Sequence, residues 1–519
     1  MDTGVPKEGR RIACLAGRRS LSSAMFKPLC VSLALLLEAP VAAQPGPITA
    51  ADMRRHIEIL AGDAFQGRAP DSAGERLTTA YIVQQFQARG LEPAGENGSW
   101  LQPLRLVEIA PGRGEARWTA RGAPVEIAAS DLALAGSRDV ETLADAPVIF
   151  AGHGARIPDR GIDQLAGTDF HGAVALILAQ GPRLPGFPSL RDRVRTLREA
   201  GAAAVIAIAG ADVPWELVAR GFSRGNTRLE SDLLPGITGL MPQSAAQRLI
   251  AAAGGDFGRL LDDQPGASFR PVALPVRVSM EVHTEVHHLT TSNVVGRLRG
   301  SGAGGESLMF LAHWDHFGFC RPEGAPDRIC NGAVDNASGV AMMIEVAGRL
   351  GQGPRPPRDI LFLATTAEEE GLIGATYFAA HPTVPLGSIV AAINMDTVAI
   401  QPAGAPVAVM GRGIPALDSA IDSTVAAMGR RLDPDDEAAE LVQRQDGWAL
   451  ARAGVPAIMV GGSFSDMARL NAFLEGRYHT PEDQADAQLE LGGAAEDANL
   501  AVALGRRLAD PAQYSRAAR

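Results

Sequence analysis

The sequence predicts an α/β fold, a mostly parallel sheet covered on both faces, interrupted by a β-rich inserted unit. Three observations carry this. After Val276, apolar strand-like runs alternate with helical patterns, the signature of a parallel sheet with crossover helices. Between about Trp118 and Phe269 the texture changes to short apolar runs separated by Gly, Pro and Asp. The polar residues with chemical potential then fall at the carboxyl ends of the later strands, where such sheets bind ligands.

Taken in order, residues 1–43 read as an export signal. Arg10, Arg11, Arg18, Arg19 and Lys27 precede the apolar run Leu29 to Leu37, and Val41-Ala42-Ala43 offers a small-residue cleavage site. The run is far shorter than the about 20 residues that span a bilayer, so no stable membrane insertion is expected. From Ile48 to Gly90, Met53, Ile57 and Leu60, then Leu77, Tyr81 and Phe86, carry helical periodicity around the turn Gly67-Arg68-Ala69-Pro70. Strand-like runs follow at Ala146 to Phe150, Ala173 to Leu178 and Ala202 to Ile208 in the middle unit. Later strands are predicted at Leu308 to Ala312, Ile360 to Thr365, Ile389 to Met395, Val407 to Met410 and Ala457 to Val460. Helices are predicted at Gly339 to Leu350, Leu372 to Ala380, Ile414 to Met428 and Leu491 to Leu508.

At 519 residues the chain exceeds a single core. The expected division is 1–43 signal, 44–117 first part of the α/β domain, 118–275 insertion, 276–511 the site-bearing part, and 512–519 a tail. Composition, 46% hydrophobic and 21% charged, is that of a folded globular protein. The net charge of −11 disfavours a basic nucleic-acid or anionic-membrane face. Loss of residues 1–43 removes six Lys/Arg and three Asp/Glu and leaves 42 against 56, or −14. Beyond that segment every basic residue of fixed charge is arginine, and only Cys320 and Cys330 remain of the four cysteines, a disulfide pair in an oxidising compartment.

The chemistry lies in five short segments. His313-Trp314-Asp315 ends a strand, and residues two apart share a face there, so a carboxylate can orient an imidazole. Asp335-Asn336-Ala337-Ser338-Gly339 puts an acid before a helix, Glu368-Glu369-Glu370-Gly371 follows the next strand, Asp396 ends another, and Tyr478-His479-Thr480 supplies a second imidazole. Singly, each has a structural reading: a core histidine, a cap, or acids at the positive end of a helix dipole. At successive strand ends they form a mixed N/O donor set suited to Zn²⁺. His283, His287 and His288 lie in an alternating strand pattern without a carboxylate partner in the sequence and read as a decoy cluster.

These segments resemble the co-catalytic dinuclear zinc aminopeptidases, a family that includes glutamate carboxypeptidase II and the catalytically silent transferrin receptor. The match runs from about Ile48 to Leu508, and the middle unit resembles the protease-associated domain inserted in many members, through Pro147 to Gly154 and Glu199 to Val205. The resemblance implies a zinc exopeptidase-like fold and two zinc ions per chain, with His313 and Asp396 on one, Glu369 and His479 on the other, and Asp335 bridging. It makes Glu368 the general base, Asp315 the residue orienting His313, Tyr478 a donor to the oxyanion, and the Asp335-Asn336 peptide cis. The implied activity is that of an exported, periplasmic or secreted aminopeptidase acting on a peptide or amino-acid amide. A carboxypeptidase, a glutaminyl cyclase and a receptor-like binding protein remain alternatives. The segment Arg444-Gln445-Asp446-Gly447 departs from the Ser-Asp-His of relatives, which touches the substrate pocket and not the metal set. The sequence leaves the oligomeric state open.

Overall fold

The computed structural model describes residues 46–516 except 183, 185–186, 263–268, 303 and 436; the predicted export signal lies outside them. Among the described residues no helix is long and apolar enough to cross a membrane. The principal elements run α1 (Ala50–Leu60), α2 (Ala73–Ala88) and the long strand β1 (Leu101–Ala120). The middle lobe follows with β2 (Val140–Phe150), β3 (Val174–Leu178), α3 (Leu190–Glu199), β4 (Ala204–Ala209), α4 (Trp215–Ser223), β5 (Asn226–Leu229), β6 (Ile237–Pro242) and α5 (Gln243–Ala252). The chain returns through β7 (Val272–Leu298) to β8 (Ser307–His313), α6 (Ser338–Gly351), β9 (Asp359–Thr365), α7 (Ile373–Ala380), β10 (Ile389–Asn394), β11 (Ala408–Met410), α8 (Pro415–Ala427), β12 (Ala457–Gly461) and α9 (Leu491–Leu508).

One large sheet threads the molecule in the order β11-β12-β10-β8-β9-β7-β2-β3-β4-β6. It holds two parallel blocks. In the first, β8 pairs in parallel with β9 and β10, and β10 with β12; in the second, β3 pairs in parallel with β2 and β4, and β4 with β6. The antiparallel strand β7 joins the blocks, pairing with β2 through its first part, Val272 to His283, and with β9 through its last, Val294 to Leu298. β1 also runs antiparallel along β7, from Ala120 opposite Val276 to Leu101 opposite Val294. The boundaries expected near 118 and 275 therefore fall inside continuous strands. The alternation of Val276, Val278, Met280 and Val282, all buried, keeps one face of β7 in the lobe's core while the strand runs on toward the other block. The lobe also carries helices between its strands, α3 among them, whose arginine-rich sequence buries only Arg193 and Leu197.

The first block has the larger core. Every residue of β8 is buried, as a central strand covered on both faces requires, and Phe310 stacks on Phe362 of β9 at 5.5 Å. Helix α1 starts with a capping box between Thr49 and Asp52 and buries Met53, Ile57 and Leu60. The last described residues are packed: Tyr514 is buried with its hydroxyl donating to the Val390 carbonyl, and Arg516 donates to the carbonyls of Ile389 and Gly454.

Helices α1, α2 and α6 meet at a buried polar knot. Glu345 accepts from His56 Nε2 at 2.9 Å and from Arg89 at 2.8 Å, with Arg349 at 3.5 Å. Burial acts to raise the Glu345 carboxyl, but these donors hold it down at about 2, below its ordinary range. A depressed carboxylate stabilises the fold above its unfolded pKa, and that contribution disappears as pH falls toward about 2. Glu345→Gln is therefore expected to be less stable than the parent at neutral pH, with the gap closing between pH 5 and 2.5 in urea titrations. A gap independent of pH would refute the linkage.

Candidate metal centre

The site forms where the first parallel block ends. His313 closes β8, Glu368 and Glu369 lie in the turn after β9, Asp396 follows β10, and Asp335 sits just before α6. His479 arrives from the turn after the helix Met467–Gly476, in a left-handed conformation with φ of 58°. The Asp335-Asn336 peptide is cis, as expected. Gly339 lets α6 start against this link, since a Cβ there would collide with Asn336 Oδ1 and the Met395 carbonyl.

The two oxygens of Asp335 divide between two imidazoles. His313 Nε2 lies 3.2 Å from Asp335 Oδ1 and 3.6 Å from Asp396 Oδ1. His479 Nε2 lies 3.4 Å from Asp335 Oδ2 and 2.9 Å from Glu369 Oε2. Both Nε2 atoms are buried and make no hydrogen bond of good geometry despite these carboxylates. Donors bound tetrahedrally at about 2.0–2.1 Å stand about 3.3 Å from one another, so the spacing fits cation ligation better than hydrogen bonding. His313, Asp335 and Glu369, and likewise His313, Glu368 and Asp396, bring ligand atoms within 4.8 Å of each other.

Charge balance argues the same way. Burial first, then Asp446, Asp396 and Glu369, push the Glu368 carboxyl well above its ordinary range. Burial lifts Asp315 to about 8 and Asp446 to about 6. His479 is drawn down by burial, yet Asp335 and Glu369 hold it up at about 9. So many acids beside a few imidazoles call for added positive charge.

The surroundings assign further work. His313 Nδ1 meets the main-chain oxygen of Asp315 at 3.2 Å, and the carboxylate only at 3.8 Å. That carboxylate instead accepts the backbone N–H groups of Glu368 and Glu369 at 3.2 and 3.4 Å, so Asp315 shapes the acidic turn as well as the imidazole. Tyr478 stacks on His479 with ring centroids 3.5 Å apart, and burial followed by Asp335 and Glu369 raises its phenol far above the usual range, keeping it a proton donor. Tyr478 and Asp396 open onto a cleft with Arg444, Gln445 and apolar walls from Leu441 and Met459. Cys320 and Cys330 are disulfide-bonded, and Phe317, just before the bridged loop, packs on His479 at 4.5 Å.

Four participants escaped the sequence reading. His316 Nδ1 lies 2.5 Å from Glu369 Oε1 and is a third imidazole in the site; its place one residue beyond Asp315 was the available signal. Asp483 accepts from the N–H groups of Val334 and Asp335, aiming the latter. Arg68, buried, donates to the carbonyls of Leu60, Trp314, Asn331 and Gly332, tying together the segments that carry His313 and Asp335. Thr365 donates to the buried Asp446. Conversely, His283 and His288 do have carboxylate partners, Glu281 at 3.1 Å and Glu230 at 2.8 Å, supplied by strand alternation and by folding. Both are exposed, and among the described residues neither joins a group of metal-spaced donors.

Fold and centre together define an α/β protein with a buried, carboxylate-rich site suited to divalent cations at the ends of parallel strands. The chain matches the family model described as Peptidase family M28 over residues 293–503. It is 33% identical over 171 residues to "Aminopeptidase NAALADL1" of Mus musculus, 32% of this chain and 20% of that one. It is 32% identical over 128 residues to "Glutamate carboxypeptidase 2 homolog" of Caenorhabditis elegans, 24% of this chain and 15% of that one. The matched stretch thus spans a fifth or less of these curated relatives. The solved aminopeptidase from Aneurinibacillus sp. strain AM-1 shares the fold, with a TM-score of 0.52 at 20% identity over 91% of this chain and 97% of that chain.

Proposed function

We propose that this chain is a zinc-dependent exopeptidase, an aminopeptidase that removes residues from the free amino end of peptides. The observation that carries this reading is the division of Asp335 between His313 and His479, each of which also faces its own acid, Asp396 or Glu369. That arrangement fits two zinc ions sharing one carboxylate, with the ligand assignment the sequence leads one to expect. Bound there, zinc supplies Lewis-acid polarisation of the scissile carbonyl and a nucleophile at neutral pH. Glu368 accepts the nucleophile's proton and returns it to the leaving amine. Tyr478 donates to the oxygen that gains charge, and Asp315 holds the acidic turn in register.

An acidic cleft in an acidic chain favours a substrate ammonium group, hence the amino end. The middle lobe, with its resemblance to a protease-associated domain, is read as an insertion beside the site. The pattern of residues 1–43 together with the Cys320–Cys330 disulfide supports export to an oxidising compartment. One observation favours a second reading, carboxypeptidase action: Arg444 lines the cleft beside Tyr478, where it could receive a substrate carboxylate. Arg477, by contrast, is engaged with Asp486 and two carbonyls.

The test compares a leucine anilide, its N-acetylated form, and an amino-blocked dipeptide with a free carboxylate, using zinc-loaded and chelator-treated protein. Turnover of the free-amine anilide alone, lost on chelation and restored by zinc, is the expected result. Cleavage of the blocked dipeptide without the anilide would transfer the assignment to a carboxypeptidase.

A further inference from the structure

The middle lobe contains a cavity of about 260 Å³ that the centre described above does not use. Its positive wall comes from helix periodicity: Arg191, Arg195 and Arg198 stand at i, i+4 and i+7 of α3 and share one face. Arg228 from β5 closes the other side, bonded through Nε and Nη2 to Asn226 Oδ1, an acceptor that brings no charge. Asp232 is the only acid lining the cavity among the described residues, and it is taken by Arg195 at 3.2 Å. Arg191 makes no ion pair among the described residues. Arg198 Nη1 is buried without a hydrogen-bond partner; the nearest acid acting on it, Glu141, is itself held by Arg138 and Ser137.

Arg191, Arg198 and Arg228 thus make no ion pair among the described residues, within a chain of net charge −11. Burial, followed by repulsion from Arg191 and then Arg195, pulls the Arg228 guanidinium below its ordinary range although Asp232 acts to hold it up. The remaining walls are apolar, with Leu190, Val194, Phe222 and Leu240 among them. A guanidinium fork beside an apolar wall matches a carboxylate attached to a hydrocarbon body, whereas a bare inorganic anion would leave those walls wet.

We propose that this cavity is a second ligand site, taking a short organic carboxylate whose apolar body lies against α3 and α4. The strand that carries Asn226 and Arg228 turns the buried Thr227 to its opposite face.

The experiment is calorimetric titration of the full zinc-loaded protein with hexanoate, hexanamide and inorganic phosphate. Hexanoate is expected to bind, and hexanamide and phosphate to bind at least tenfold more weakly. Arg198→Gln and Arg228→Gln should each weaken hexanoate by about tenfold or more, the effect of losing a charge-assisted hydrogen bond. Arg191→Ala, at an exposed position, provides the same reading without risk to folding. His479→Ala, which removes a predicted metal ligand, should leave hexanoate binding unchanged. Loss of binding in His479→Ala with retention in the arginine variants would move the carboxylate to the zinc site and overturn the proposal. So would equal binding of hexanamide or phosphate, or no binding of hexanoate at all.

Discussion

Glu368→Gln is expected to keep its zinc and lose turnover by on the order of 10²-fold to 10⁴-fold, the range for removal of a general base. The geometry separates this residue from its neighbour. Glu369 is locked, with Oε1 at 2.5 Å from His316 and Oε2 at 2.9 Å from His479. Glu368 makes no side-chain hydrogen bond among the described residues, and its nearest imidazole nitrogen, on His313, is 4.0 Å away. It stays available to move a proton because Asp315 fixes its backbone and not its carboxylate. The amide variant preserves shape and removes the proton acceptor, so kcat should carry the loss. Glu369→Gln should instead lower zinc content, measured by elemental analysis. If both variants shed metal alike, the division of roles within the acidic turn is wrong.

Arg68→Ala should be the most damaging substitution outside the donor set, costing about 3–5 kcal/mol. Its guanidinium satisfies four carbonyl oxygens at 2.6 to 2.9 Å, and burial pulls it down to about 10 while Asp335 and Asp483 act to hold it charged. Removal leaves buried acceptors without donors and takes a positive charge from beside Asp335. Arg68→Lys should recover only part of the loss, because one ammonium cannot reproduce a planar fork that reaches three chain segments. Denaturation midpoints and zinc content should fall together. A cost within about 1 kcal/mol, the scale of an ordinary surface change, would show that the carbonyls find other partners.

Local pattern was enough for the strands of the site-bearing block and for most of its helices, though not for Met467–Gly476. The run Leu308 to Ala312 is apolar at every position because a central parallel strand is covered on both faces, and the span Leu491 to Leu508 appears as a single helix with the same limits. That His313, Asp335, Glu369, Asp396 and His479 would meet was legible for a related reason. Parallel strands deliver their ends to one edge, so acids and histidines placed after successive strands must converge there whatever the details of packing.

Tertiary structure alone decided the rest. Nothing local distinguishes Arg68 from a turn arginine, since its partners lie up to 264 residues away and are main-chain oxygens, which carry no sequence signature. Asp483 acts through backbone N–H groups 148 residues distant, silent in sequence for the same reason. The joining of two parallel blocks by one 27-residue strand was hidden because alternation along β7 looks the same whether its partner is β9 or β2. Side-chain period determines which face of a strand is buried; only the assembled sheet determines against what.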